Sequence, residues 1–159
     1  MNQLIANAKA VIAQAAGAIS SWDPKWVNMA FYRKVVFILN VNVTSGTDSA
    51  NASVKQATNS SGSGSKAVSI SKYYYNNDTA SGQDLTEGTA TNNQFAVGGA
   101  TKSRLYVVEV DAEDLDVNNN YAYVRLELDD DIANANGCLV AVLTQPRYAE
   151  GPAGLPSSA

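Results

Sequence analysis

The chain has 159 residues, a length that suits one domain with a hydrophobic core. Only 16% of its residues are charged, the net charge is −4, and there is no histidine. The chain therefore lacks the commonest general base and metal ligand, and also the basic excess typical of nucleic-acid-binding proteins. The lone Cys138 cannot form an internal disulfide, and no stretch approaches the roughly 20 apolar residues of a membrane span.

The charges are unevenly distributed along the chain. Residues 1–75 contain seven basic and two acidic residues, whereas residues 76–159 contain four basic and thirteen acidic residues. Such a division can steer one end of a protein onto an acidic partner, although sparse charges also fall unevenly without consequence. The basic first half is therefore a candidate for the part that faces a partner.

Residues 1–22 are predicted to form a short helix or arm. Apolar residues recur over 2–16 at the spacing of one helical face: Leu4, Ile5, Ala8, Val11, Ile12 and Ala15. Gly17 is a suitable helix end. A helix this short is marginal in water, so it must dock on its own domain or on a partner, and the sequence leaves both open. The segment is a poor signal peptide, so we expect synthesis in the cytoplasm.

Residues 23–148 are predicted to form a β-domain. A continuous apolar run within 35–43 is typical of a central strand covered on both faces. Further strands are expected at 52–57, 67–75 and 95–97, and polar loops rich in Ser, Gly, Asn and Thr separate them.

The last third of the chain is predicted to contain three strands, at 103–110, 121–128 and 137–144. The second has one uniformly apolar face, and the third is apolar on both faces, which indicates a central strand or a subunit contact. Short strands joined by turns predict a mainly β protein, a two-layer antiparallel β-sandwich of jelly-roll type. An extended tail is expected at 149–159.

Candidate chemical sites are few. The acidic turns at 109–116 and 129–131 could work as acid and base, could bind a hard cation such as Ca2+, or could be solvated turn residues. Trp22, Trp26 and the tyrosines at 73–75 could stack on sugar rings or pack in the core and at interfaces. We predict no catalytic, cofactor or metal site and no enzymatic activity, while cation binding by the acidic turns stays open.

Interface candidates lie near both ends of the chain and on the second closing strand. Arg125 stands beside Glu127 in the alternation, which predicts a salt bridge or a subunit contact. Arg147 and Tyr148 follow Pro146, and they either anchor an interface or cap the last strand. The predicted interface residues are Leu4, Ile5, Val11, Ile12, Arg125, Arg147 and Tyr148.

The run LYVVEVDAEDLDVNNNYAYVRLEL at 105–128, followed by an apolar strand ending in QPRY at 145–148, resembles small structural proteins of tailed bacteriophages. The order upstream is also similar: a Leu-Ile-Ala-rich arm, a strand containing Tyr32 and Arg33, then Gly/Ser/Thr-rich loops. The family resembled is that of capsid cement, or decoration, proteins. The resemblance implies a homotrimeric β-sandwich on the outer surface of the virion, bound to the major capsid protein, without nucleic-acid, membrane or cofactor contacts.

We therefore predict a capsid cement protein whose N-terminal segment and C-terminal tail clasp neighbouring subunits or the shell. Many small contacts repeated over a shell can stabilise it by avidity. Two other classes fit the sequence less well. One is another virion part, such as a head–tail connector or a fibre-base component, and the other is a carbohydrate-binding β-sandwich module.

Overall fold

The computed structural model describes residues 8–147 and consists mainly of β-strands. The strands of this part of the chain are β1 (Lys9–Ala18), β2 (Val27–Asn28), β3 (Tyr32–Val43), β4 (Ser49–Ala57), β5 (Lys66–Ala67), β6 (Lys72–Asn76), β7 (Thr86–Thr89), β8 (Gln94–Gly98), β9 (Ser103–Asp111), β10 (Tyr123–Leu128) and β11 (Ala135–Pro146). Single-turn 3-10 helices lie at Ile19–Ser21, Thr79–Ser81, Ala112–Asp114 and Val117–Asn119. Among the described residues, no helix is long and apolar enough to cross a membrane.

The strands form two antiparallel sheets that pack face to face. The larger sheet has the order β1-β11-β3-β9-β6-β7, and the smaller has the order β2-β10-β4-β5, with β8 also paired to β4. The predicted antiparallel β-sandwich is confirmed. The three closing strands do not form one sheet, however, because β9 and β11 belong to the larger sheet and β10 to the smaller. The chain therefore crosses the sandwich twice between residues 111 and 135.

Alternating side chains of the central strands fill the core. Val35, Phe37 and Leu39 of β3 are at most 1% exposed, as are Leu139 and Leu143 of β11. The residues between them, such as Val36 and Val140, point to the opposite face and are only half-buried. The prediction that 35–43 forms a central strand is confirmed, but its outer face is less covered than the continuous apolar run indicated.

The predicted helix over 2–16 is wrong where the structure describes it. Residues 9–18 form β1, the edge strand of the larger sheet, paired to β11. The register of this pairing shifts between Ile12 and Gln14 and again between Gln14 and Gly17. These two bulges break the period-2 alternation and leave apolar residues spaced as on a helix. Leu4 and Ile5 lie outside the described residues, as do Tyr148 and the tail at 149–159.

The predicted strand at 67–75 is divided between the sheets. β5 ends at Ala67 in the smaller sheet, and β6 begins at Lys72 in the larger one. Val68 and Ile70 lie between them and are buried, at 0% and 7% exposed. The alternating apolar residues here therefore belong to a buried connection between the two sheets. Such a connection also needs apolar side chains at every second position.

Two glycines face each other across the β1–β11 pair in different surroundings. Gly137 is paired with Gly17, but only Gly137 is covered, by the ring of Trp22. A Cβ at Gly137 would lie 2.5 Å from the carbonyl oxygen of Asn40 and 2.9 Å from Cζ2 of Trp22. A Cβ at Gly17 would meet nothing within 4 Å. The absence of a side chain at Gly137 is therefore what allows Trp22 to pack on the sheet.

Gly137→Ala should lower the free energy of unfolding by about 1–3 kcal/mol, because a methyl group there must displace a backbone carbonyl and an indole ring. Urea unfolding followed by tryptophan fluorescence measures this loss. Gly17→Ala is the matched control and should be neutral within about 0.5 kcal/mol. Equal losses in the two variants would contradict the packing described for Trp22.

Candidate functional site

An apolar row crosses the outer face of the larger sheet, the face directed away from the core. The row consists of Ile12, Val140, Ile38, Val107 and Tyr74, each paired with the next across neighbouring strands. Ile12 is 63% exposed, and the other four are half-buried. We call these five residues the outer row. Such a row suits contact with another protein surface better than contact with water.

The charged side chains beside the outer row are paired within the chain. Lys34 Nζ lies 2.8 Å from Glu109 Oε2, and this hydrogen bond raises the pKa of Lys34. Lys72 Nζ lies 2.9 Å from Glu87 Oε1. Exposed pairs of this kind add little stability. Because each lysine is paired with a carboxylate, these pairs add both signs of charge to the outer face and no net charge.

The charge division seen in the sequence does not become a division in space. Four of the seven basic residues in 1–75 form ion pairs with acids of 76–159. These pairs are Lys34–Glu109, Lys55–Glu127, Lys66–Asp116 and Lys72–Glu87. The two halves of the chain interleave in both sheets, so the basic first half forms no separate positive surface among residues 8–147. The structure therefore gives no support to steering by the first half.

Arg125 makes several contacts within its own chain. Its Nη2 lies 2.6 Å from Glu127 Oε2, its Nη1 lies 3.1 Å from Asp23 Oδ1, and its guanidinium stacks 4.8 Å from the ring centroid of Trp26. Of the two predicted roles, the salt bridge is the one observed. Arg125 therefore ties the segment that follows β1 to the smaller sheet, although that segment is far from the strand of Arg125 in the sequence.

The predicted anchor Arg147 caps the last strand. Its backbone N–H donates to the carbonyl oxygen of Phe31 at 2.8 Å, and its Nε donates to that of Tyr32 at 3.4 Å. Its side chain also borders a cavity of about 270 Å3 lined by Val117. Phe31 is 36% exposed and Val117 is 52% exposed. We call Phe31, Val117 and Arg147 the end cluster, a second apolar surface that carries a guanidinium group.

The structure does not bring together those predicted interface residues that lie within 8–147. Ile12 belongs to the outer row, whereas Val11 is half-buried and packs against the core. Arg125 lies on the smaller sheet, and Arg147 lies in the end cluster. Sequence reasoning did not single out Ile38 or Val107, although the doubly apolar run at 35–39 was the available signal.

The acidic turns have local partners. Asp116 accepts hydrogen bonds from Lys66 and Asn119, and these bonds lower its pKa. Asp129 accepts from the side-chain amide of Asn51 at 2.9 Å and from its backbone N–H at 2.7 Å, and both lower its pKa. Within residues 8–147, no three acidic or cysteine side chains are arranged to hold a metal ion. These acids act as structural acceptors in their turns.

The aromatic side chains considered for sugar binding do not share one surface. Tyr73 stacks on Phe95 with ring centroids 4.4 Å apart, while Tyr74, the next residue of the strand, points to the outer face. Trp22 covers Gly137, and Trp26 lies against Arg125. These rings do not form one coplanar exposed row, which is what a sugar-binding platform requires.

No protein-family model matches the chain, and no curated protein matches it either. Among solved structures, the chain is similar to the SPBc2 prophage-derived protein YomS, with 9% sequence identity and a TM-score of 0.44. The match covers 87% of this chain and 94% of that one. At this level of similarity it supports no conclusion about function.

Acid should destabilise the protein partly through Asp129. The folded pKa of Asp129 lies below its usual value of 3.8, so its stabilising contribution is present above that value and is lost as the pH falls through the folded pKa. Asp129→Asn should therefore flatten the fall of Tm with pH below about 4. Thermal unfolding followed by circular dichroism measures this. Glu113→Gln, an equal loss of charge in another exposed turn, is the control, and an unchanged Asp129→Asn profile would contradict the prediction.

Arg125→Met should loosen the segment that follows β1, because Asp23 and Trp26 lose the cation that holds them. We expect a loss of about 1 kcal/mol in unfolding free energy, since Asp23 is 93% exposed and its ion pair is well screened. Hydrogen exchange should accelerate at Trp22 and Lys25 while the core amides of β3 stay protected. Lys102→Met, which breaks an exposed pair with Asp78, is the control. Unchanged exchange at residues 22–25 would contradict the clamping role.

Proposed function

We propose that this protein is a virion structural protein, a capsid cement protein that binds the outer surface of a capsid shell. The observation that carries the proposal is a rigid sandwich that leaves two apolar surfaces, the outer row and the end cluster, in contact with solvent. The resemblance of 105–148 to cement proteins of tailed bacteriophages supports the same role. A holding function needs such surfaces on a stiff scaffold and needs no reacting group.

The end cluster is the surface that we propose for the shell, that is, for the major capsid protein. Val117 and Arg147 line one cavity, and the exposed Phe31 is joined to Arg147 through a backbone hydrogen bond. Arginine and aromatic side chains are residue types that anchor protein interfaces. It also adjoins the point where the chain continues into Tyr148 and the tail. A clasping role for residues 1–7 and 148–159 stays part of the proposal, although these residues lie outside the described structure.

A sedimentation assay tests the proposal. Capsid shells prepared without the protein are incubated with purified protein and then sedimented. Wild-type protein should decorate such shells at many positions over the surface. The double variant Phe31→Ala, Val117→Lys should bind at least about tenfold more weakly, because it truncates one anchor and places a charge beside the other. Leu85→Lys is the control, since Leu85 is 46% exposed and lies in a different loop.

The outcomes separate the proposal from its rivals. Absence of binding to shells would refute the cement role, and binding to a single ring at one vertex would indicate a connector instead. Removal of residues 1–6 or 149–159 tests the clasping segments separately. A longer N-terminal deletion would be uninformative, because it would remove most of β1 from the larger sheet.

A further inference from the structure

The edge strands of the two sheets differ in how they are protected. Exposed strand edges carry unpaired N–H and C=O groups, and proteins usually keep such edges short, charged or interrupted by proline. Four edge strands of the described structure follow this rule, since β2 and β5 have two residues each, β7 has four and β8 has five. β1 does not, because it has ten residues, no proline and a single charge at Lys9.

The backbone of β1 is available for a further strand. Within residues 8–147, β1 pairs only with β11, and two further bonds reach its backbone: Lys25 N–H donates to the carbonyl oxygen of Ala13, and Ser21 Oγ donates to that of Ala18. Because alternate residues of a strand direct their groups away from the partner, the rest of this edge offers donors and acceptors. Ala10, Ile12 and residues 15–18 are exposed, and small side chains at 15–18 let another strand approach closely.

We propose that β1 pairs with β1 of a second copy of this chain, antiparallel and about a two-fold axis, so that the two larger sheets become one continuous sheet. Ile12 is the last member of the outer row, so the pairing covers its exposed side chain and joins the rows of the two copies. The inference goes beyond the proposed function and does not require it.

Charge complementarity favours a second copy in the antiparallel direction. Lys9 lies at the beginning of β1, and the acidic turn Asp129–Asp130–Asp131 lies at the other end, where it lines a cavity with Ile19 and Trp22 just after the strand. In an antiparallel pair, Lys9 of each copy approaches the acidic turn of the other. A parallel pair would instead place the two lysines side by side.

The contact is isologous, so it closes into a dimer. The resemblance to cement proteins implies a trimer, and molecular mass distinguishes the two. Sedimentation equilibrium of the full chain should give twice 16.8 kDa. Ile12→Lys should weaken the dimer at least about tenfold, because the pairing would then cover a charged group in place of an apolar side chain.

Ala16→Pro should weaken the dimer similarly. Ala16 is exposed and has no partner in the β1–β11 register, so a proline there removes an N–H of β1 outside the paired positions of that ladder. Leu85→Lys is the control for an added surface charge and should leave the dimer intact. Circular dichroism and thermal unfolding confirm that each variant is folded.

Charge reversal gives the sharpest test. Two charge-reversed proteins are compared: one carries Lys9→Glu, and the other carries both Asp130→Lys and Asp131→Lys. Each should dimerise more weakly when it is alone. An equimolar mixture of the two should recover a dimer, because every contact between unlike copies is then attractive.

A monomer at all concentrations, a trimer, or a dimer insensitive to both Ile12→Lys and Ala16→Pro would overturn the proposal. It would also be overturned if the full chain were monomeric and dimerised only after removal of residues 1–7, since the edge would then belong to the chain's own N-terminal segment.

Discussion

The pairing of β3 with β11 is the constraint on which the rest of the structure depends. Its register runs from Ala135 opposite Val43 to Pro146 opposite Tyr32, and it is the longest ladder in the described chain. β1 adds to the free side of β11, and β9 adds to the free side of β3. A slip of one residue would exchange the two faces of both strands. One register therefore decides which side chains form the core and which form the outer face.

Both faces of this ladder are apolar, so the same pair of strands contributes to the core and to the outer row. Phe37 and Leu139 are inside, at 0% exposure, and Ile38 and Val140 are outside and half-buried. Burial of the inner set stabilises the sandwich by roughly 1.5–3 kcal/mol for each large side chain. The outer set adds less to folding, because its side chains stay partly exposed to solvent.

The two sheets are also tied together by groups that are distant in sequence. Arg125 of β10 holds Asp23, and Trp22 beside it covers Gly137 of β11. Two ion pairs also join groups that are distant in sequence: Lys34 and Glu109, 75 residues apart, connect β3 and β9 within the larger sheet, and Lys66 of β5 binds Asp116, 50 residues away. Strands from the two halves of the chain alternate within the larger sheet. Basic residues of the first half and acidic residues of the second half are therefore neighbours on the surface, although they are separated in the sequence.

The sequence by itself determined the fold class, the inner face of β10, and the opposite orientations of Tyr73 and Tyr74, because alternation is a local property of strands. It also indicated a salt bridge at Arg125, where the partner Glu127 is two residues away. Tertiary structure alone decided the sheet to which each strand belongs, the strand form of residues 9–18 and the assembly of the outer row. The reason is physical: these features arise from pairing between distant segments, and the two bulges of β1 removed the local period that would have identified it as a strand.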